Sequence, residues 1–237
     1  MIDIEKNYKN YIRYLKTYIE RDGIDALIEW LDTRTDAKIA PASTRYHLSC
    51  EGGYIQHSLN VFINLINLLE NAKNVYGFEY PKETIAIVAL LHDISKVGFY
   101  KKIYKNVKND ETGKWEQVAS YAVRDDDARL VYATHEENSL YVLNHFIKLT
   151  YEEQVAIRYH MGTISETADN FETNRMITAY KKCPLALYLH MADMMSMCID
   201  EDTTDNKDVR KPIVKEEKST NDGENKELST ELSKERT

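Results

Sequence analysis

Apolar positions fall at helical spacing along the first ninety residues. Ile4, Tyr8, Tyr11, Ile12, Leu15, Tyr18 and Ile19 recur every three or four positions, which predicts a helix over about Ile4–Glu20. Gly23 separates it from a short second helix carrying Leu27, Trp30 and Leu31. Residues 33–50 are polar, include Pro41 and read as an irregular connection. Ile55, Leu59, Phe62, Ile63, Ile66 and Leu69 then mark the broad apolar face of a helix over about Tyr54–Leu69. Pro81 opens another helix, at the position where a missing N–H costs least. Its stretch Ile85–Leu91 is apolar on every side, so this helix is expected to be central and buried.

The period changes after Gly98. Phe99–Val107 and Trp115–Val123 are rich in aromatic and β-branched residues, and they flank the turn-forming run Asn109-Asp110-Glu111-Thr112-Gly113, which predicts a hairpin. Helical patterning returns near Glu136. Thr150 and Glu153 form a capping box ahead of a helix Gln154–His160. Two further helices are expected, the last from Pro184 to about Ile199. Beyond Glu201 there are no aromatics, few aliphatics and dense mixed charge, a composition that cannot repay the entropy of folding. The expected organisation is one helical domain over residues 1–201, a hairpin insert at about 99–123, and a disordered charged tail over 202–237.

Composition sharpens this picture. Only 8 glycines and 4 prolines in 237 residues argue for helices over a sandwich or barrel, and 43% hydrophobic residues can fill a sizeable core. The 31 basic and 39 acidic residues give a net charge of -8, which excludes a uniformly basic nucleic-acid or membrane binder but leaves a local basic patch open. Three cysteines without CxxC spacing argue against a disulfide framework and for a reducing cytoplasm. The longest purely apolar run, Ile85–Leu91, falls far short of the roughly 20 residues of a membrane span, and no charged start precedes an apolar stretch as in a signal peptide. A soluble intracellular protein is expected.

Candidate chemistry sits at helix ends. His57 follows Gly52-Gly53, His92 and Asp93 end the buried apolar helix, and His160 ends another before Met161-Gly162. His190 and Asp193 lie three apart, so an imidazole and a carboxylate share one helical face and can offer N and O ligands to one ion. The adjacent pair His92-Asp93 is more awkward, because neighbours on a helix point about 100° apart. One such histidine is ordinarily a hydrogen-bonded core or surface residue. Several at the ends of buried helices, with an Asp that would be costly to leave unpaired, point to a shared ion.

At this point the residues carry a family resemblance. Gly52-Gly53-Tyr-Ile-Gln-His57-Ser, Leu91-His92-Asp93-Ile-Ser-Lys96 and His190-Met-Ala-Asp193 resemble the H…HD…D signature of HD-domain metal-dependent phosphohydrolases, over about residues 40–200. Ala40-Pro-Ala-Ser-Thr-Arg45-Tyr-His47 through the glycine pair resembles a phage and prophage branch, and is similar to the HD portion of bacterial 3′–5′ exoribonucleases. The resemblance implies an all-α HD-domain helical bundle with a small β-hairpin insertion. It implies one ion on His57, His92, Asp93 and Asp193 and, in the dinuclear form, a second on His135 and His160 with Asp93 bridging. Met161 stands where exoribonuclease-type sequences carry a second consecutive histidine, and His145 matches no motif.

The chemistry follows from such ligands. Mixed imidazole and carboxylate donors suit Mn, Fe, Co, Ni or Zn better than Mg, as one or two divalent ions. Two ions about 3.5–4 Å apart can acidify a bridging water and clamp phosphoryl oxygens. Asp93 and Lys96 are then the catalytic candidates, and Lys96, Arg45, His47 and His190 the candidate substrate contacts. Lys96 reads alternatively as a lysine satisfying the helix dipole, and Arg45 and His47 as structural. The lysines and aromatics of Tyr100–Lys108 suit a nucleic-acid strand or simply guard a hairpin edge. Met191, Met194, Met195 and Met197 read as core filler. No GxSxG, Walker A or GxGxxG motif offers a competing site.

The implied function is a divalent-metal-dependent phosphohydrolase that cleaves phosphate esters of a nucleotide or short nucleic acid with metal-activated water. The alternatives are an inactive HD-fold nucleotide-binding or regulatory protein and a diiron oxygenase-type HD protein. The expected setting is the cytoplasm (a host's, if the chain is phage-encoded), without a membrane. Nuclease against nucleotidase, and monomer against homo-oligomer, stay open at this stage.

Overall fold

A computed structural model describes residues 2–109, 112–125, 134–162 and 170–201. The expected tail over 202–237 and the tip of the hairpin turn at 110–111 lie outside the described residues. The chain folds as α1 (Ile4–Tyr18), α2 (Ile24–Thr33), α3 (Gly53–Tyr76) and α4 (Lys82–Leu91), followed by a 3-10 turn (Ile94–Lys96). The hairpin strands β1 (Tyr100–Lys108) and β2 (Trp115–Val123) come next, then α5 (His135–Asn144), α6 (Tyr151–Tyr159), α7 (Asn170–Lys182) and α8 (Pro184–Met195). A π-helical turn, Ser196–Asp200, extends α8. This is the expected all-α bundle with a small β insertion.

The helices form where periodicity places them, and local chemistry fixes their ends. Asp3 caps α1 by accepting from the Lys6 amide, and Pro81 precedes α4 in extended backbone. The capping box at Thr150 and Glu153 has both of its hydrogen bonds. α3 packs on α4 and α8, α8 packs on α6, and α1 lies across α3 and α4. Ala86–Leu91 of α4 are all fully buried, as expected for a helix apolar on every side. Tyr11 of α1 and Tyr54 of α3 are also fully buried, and their hydroxyls lie 3.1 Å apart. The Tyr11 hydroxyl donates to the Leu90 carbonyl at 3.0 Å, so no polar atom of the pair is stranded.

At the opposite end of α4, a buried latch ties three elements together. Arg21, in the α1–α2 connection, donates to both oxygens of Glu153 (2.6 and 3.2 Å) and to Glu83 at 3.0 Å. Glu153 also accepts from the Thr84 hydroxyl at 2.9 Å and the Thr150 amide at 2.8 Å. Its buried carboxylate is thus fully partnered.

The hairpin is antiparallel, with Tyr100 opposite Val123 and Lys108 opposite Trp115. Tyr121 is its one buried residue, and the outer part is exposed on both faces. The three cysteines are free thiols, Cys183 buried and the others exposed. Among the described residues no helix is long and apolar enough to cross a membrane.

Candidate metal centre

The site assembles from the ends of helices, and each end is built for the job. His57 stands one turn into α3, whose start is crossed by the 42–48 loop. Gly53 permits that crossing, since a Cβ there would lie 2.1 Å from the Leu48 carbonyl oxygen. The crossing sets His47 over His57, with ring centroids 4.7 Å apart.

α4 stops at Leu91. His92 keeps helical backbone while Asp93 leaves it (φ -107°, ψ 19°). This resolves the awkwardness of the adjacent pair, because the helix does not continue through it. His160 occupies the same position at the end of α6. His135 opens α5 behind the Thr134 cap, and the Ser95 hydroxyl donates to its carbonyl at 2.8 Å, fastening α5 to the turn after Asp93.

Helix ends leave carbonyls without intrahelical partners. His92 Nδ1 meets the Ala89 carbonyl at 2.9 Å, and His160 Nδ1 meets the Ile157 carbonyl at 2.7 Å. A carbonyl only accepts, so Nδ1 carries the proton in both rings and Nε2 presents its lone pair. His57 Nδ1 faces a carboxylate instead, lying 2.9 Å and 3.1 Å from the two oxygens of Glu201.

The Nε2 atoms converge on Asp93 and divide between its oxygens. Oδ2 lies 3.4 Å from His92 and 3.7 Å from His57, while Oδ1 lies 3.4 Å from His135 and 3.5 Å from His160. Asp193 of α8 reaches in from the first side, its Oδ1 3.0 Å from His57 Nε2. Despite these approaches, the Nε2 atoms of His57, His92, His135 and His160 and Oδ1 of Asp93 are buried without a hydrogen-bond partner. Five stranded polar atoms aimed at one small volume are costly unless something else fills it. The donors of His57, His92 and Asp193, and those of His92, Asp93 and His160, lie close enough together to hold ions.

Electrostatics agree with this layout. Burial opposes charge at Asp93, yet Lys96 and His92 hold its carboxyl well below the usual range. Lys96 Nζ sits 2.5 Å from Asp93 Oδ2. Burial pushes His92 and His135 down. At His57 burial acts in the same direction, but Asp193 and Glu201 outweigh it and raise the imidazole to about 9. His135 keeps 30% of its side chain exposed, Lys96 13% and Asp193 12%, so solvent reaches the cluster past these three.

The remaining sequence candidates stand beside the cluster or outside it. His47 turns its Nδ1 to Glu201 at 2.5 Å. Arg45 is exposed and donates to the Tyr46 hydroxyl at 3.1 Å. His190 does not join Asp193 around one volume. Its Nδ1 meets the His160 carbonyl at 2.6 Å, and its ring stacks on Tyr180. His145 is also outside the cluster and meets the Tyr141 carbonyl at 2.8 Å. Glu201 is the residue that sequence reasoning missed, and no local signal marks it, since it lies 144 positions from His57.

Fold and site together define a helical-bundle protein with a buried histidine–aspartate centre suited to divalent metal. The chain belongs to the HD domain family, whose signature matches residues 54–197. It is also 38% identical over 66 residues to a dihydroneopterin 2′,3′-cyclic phosphate phosphodiesterase of Methanocaldococcus jannaschii, a match covering 28% of this chain and 26% of that protein. The match thus spans about a quarter of the relative's length. No solved structure matches the chain significantly. Family membership and the named phosphodiesterase support a metal-dependent phosphohydrolase at the family level.

Proposed function

We propose that the protein is a divalent-metal-dependent phosphodiesterase acting on nucleotide-type esters, with two ions shared across Asp93. The observation that carries this is the partition of four stranded imidazole nitrogens between the two oxygens of one buried carboxylate. His57, His92, Asp93 and Asp193 would hold one ion, and Asp93, His135 and His160 the other. Bound there, the ions supply an acidified water and a clamp on phosphoryl oxygens. The protein's own part is to hold the rings of His57, His92 and His160 by their Nδ1 partners and keep both aspartates ionised. Lys96 keeps N–H donors beyond the one on Asp93, and these suit a phosphoryl oxygen as negative charge develops. The cyclic phosphate named for the M. jannaschii protein makes a 2′,3′-cyclic nucleotide the first substrate to try.

Titration of metal-free protein with Mn²⁺ or Co²⁺ tests this. We expect two ions per chain, and hydrolysis of 2′,3′-cyclic nucleotide or bis(p-nitrophenyl) phosphate only when they are bound. Uptake should release protons, because His57, raised to about 9, is protonated at neutral pH and must lose that proton to bind. Affinity should therefore rise about tenfold per pH unit from pH 7 and level off above about 9. Calorimetry in buffers of different ionisation enthalpy reads the proton count. Failure to take up Mn, Co, Fe or Zn overturns the proposal, and an iron-loaded protein that consumes oxygen without hydrolysing either ester favours the oxygenase alternative.

A second reading of the substrate, a single-stranded nucleic acid, is favoured by the hairpin. Register places Tyr100, Lys102, Tyr104 and Lys108 on one face with Trp115, Tyr121 and Ala119 opposite; no carboxylate of either strand shares that face, and Glu51 reaches it to take Lys102 at 2.9 Å. Tyr104 and Trp115 are 65% and 70% exposed, as stacking platforms would be. If a strand lies there, Tyr104→Ala and Trp115→Ala each raise KM for an oligonucleotide about tenfold or more and leave the cyclic mononucleotide unaffected. Equal, unchanged kinetics on both substrates would remove the polymer reading.

A further inference from the structure

We propose that Glu201 is the carboxylate that positions His57 toward the first ion, so that the end of the α8 extension governs metal affinity at one half of the centre. This rests on the two-ion reading above. Glu201 is 3% exposed, and each of its oxygens is engaged. Oε1 takes His57 Nδ1 at 2.9 Å and the Asn60 amide at 2.9 Å, while Oε2 takes His47 Nδ1 at 2.5 Å. Asn60 is itself held, because its Oδ1 accepts from Gln56 at 2.8 Å, and Gln56 accepts from Asn7 at 2.6 Å. Side chains from α1, α3 and the 42–48 loop thus fix one carboxylate against one ring.

The backbone explains how Glu201 gets there. α8 widens into the π-helical turn, and the Glu201 amide bonds back to the Ser196 carbonyl at 3.0 Å, five residues earlier. The wider turn carries residue 201 round onto α3 instead of onward along the α8 axis. His92 and His160 fix their tautomers on their own helix carbonyls, so His57 alone among these three depends on a distant side chain. A partner outside the ligand shell both orients such a ring and raises its basicity, and its loss typically weakens metal binding about 10–100-fold.

The experiment compares Co²⁺ titrations of wild type, Glu201→Gln and Glu201→Ala, followed by d–d absorption, with melting of the metal-free proteins recorded alongside. Glutamine keeps the shape but sets an N–H₂ against one of the histidine N–H groups. The expected result is one cobalt event weakened about 10–100-fold, with an altered band, and the other unchanged. Wild-type affinity at both ions overturns the proposal. Equal weakening at both ions with a lowered metal-free melting temperature also overturns it, by making Glu201 merely structural. If both variants melt below the assay temperature, Asn60→Ala carries the test, with a smaller loss confined to the same event expected and no loss overturning it. A wild-type protein that binds no cobalt would instead overturn the two-ion reading itself.

Discussion

Replacing Asp93 by Asn is expected to abolish hydrolysis and to destabilise the metal-free protein. The carboxylate touches both halves of the cluster, with Oδ2 toward His57 and His92 and Oδ1 toward His135 and His160. An amide offers only one oxygen, and its N–H₂ would face lone pairs on the other side. Both ions should therefore bind poorly, and kcat/KM should fall at least about 10³-fold, beyond the 10–100-fold typical of outer-shell losses. The stability effect has a separate cause. Lys96 is nearly buried, its ammonium rests on Asp93, and a neutral amide in that place would leave the charge without its partner. Breaking a buried pair from one side costs about 3–5 kcal/mol, with the lower figure fitting a lysine that keeps some solvent contact. Metal content, steady-state kinetics and thermal melting of the same preparation separate the two effects. Unchanged turnover in a folded, metal-depleted Asp93→Asn protein would remove the metal-activated mechanism and the place of Asp93 in it.

Much of the fold was legible because it is local. Periodicity located α1, α3 and α4, the capping box located the start of α6, and the switch to alternating aromatics located the hairpin. The site was legible in a different sense. The order of His57, His92-Asp93 and Asp193 along the chain resembles a family signature, yet their convergence follows from the packing of α3, α4, α6 and α8, which no spacing rule states. Spacing alone leaves the destination of each side chain open. His190 and Asp193 do share a helical spacing of three, but His190 is taken by the His160 carbonyl and Tyr180 while Asp193 turns to His57. His47, a candidate substrate contact by sequence, has its Nδ1 on Glu201 and its ring beside that of His57. Glu201 was invisible because its role depends on a π-helical turn and on contacts made across most of the chain.

The Arg21–Glu153 latch carries the other large expected effect. Glu153 is fully buried, and Arg21 gives it a forked pair of hydrogen bonds on top of those from Thr84 and Thr150. Arg21→Ala leaves that carboxylate buried without a counter-charge, which should cost about 3–5 kcal/mol and lower the melting temperature by roughly 10 °C. Removing both charges with Arg21→Met and Glu153→Leu should cost less than the sum of the single changes, since no stranded ion remains. The pH dependence has a definite sign. Burial alone would raise the Glu153 carboxyl, but Arg21, the Thr150 amide and Thr84 hold it below its ordinary value. Its contribution is therefore complete above the unfolded value of about 4.3 and fades as pH falls through the lower folded value. The gap between wild type and Arg21→Ala should be widest near neutrality and narrow in acid, where the stranded carboxyl can protonate. The latch joins the start of α4 to the start of α6, and the far ends of those helices carry His92 and His160. Loosening it should therefore also weaken metal binding, although neither Arg21 nor Glu153 belongs to the cluster of donors. Chemical denaturation across pH 3–8, with and without Mn²⁺, measures both effects at once, and a pH-independent gap would show that the pair is not the source of the stability.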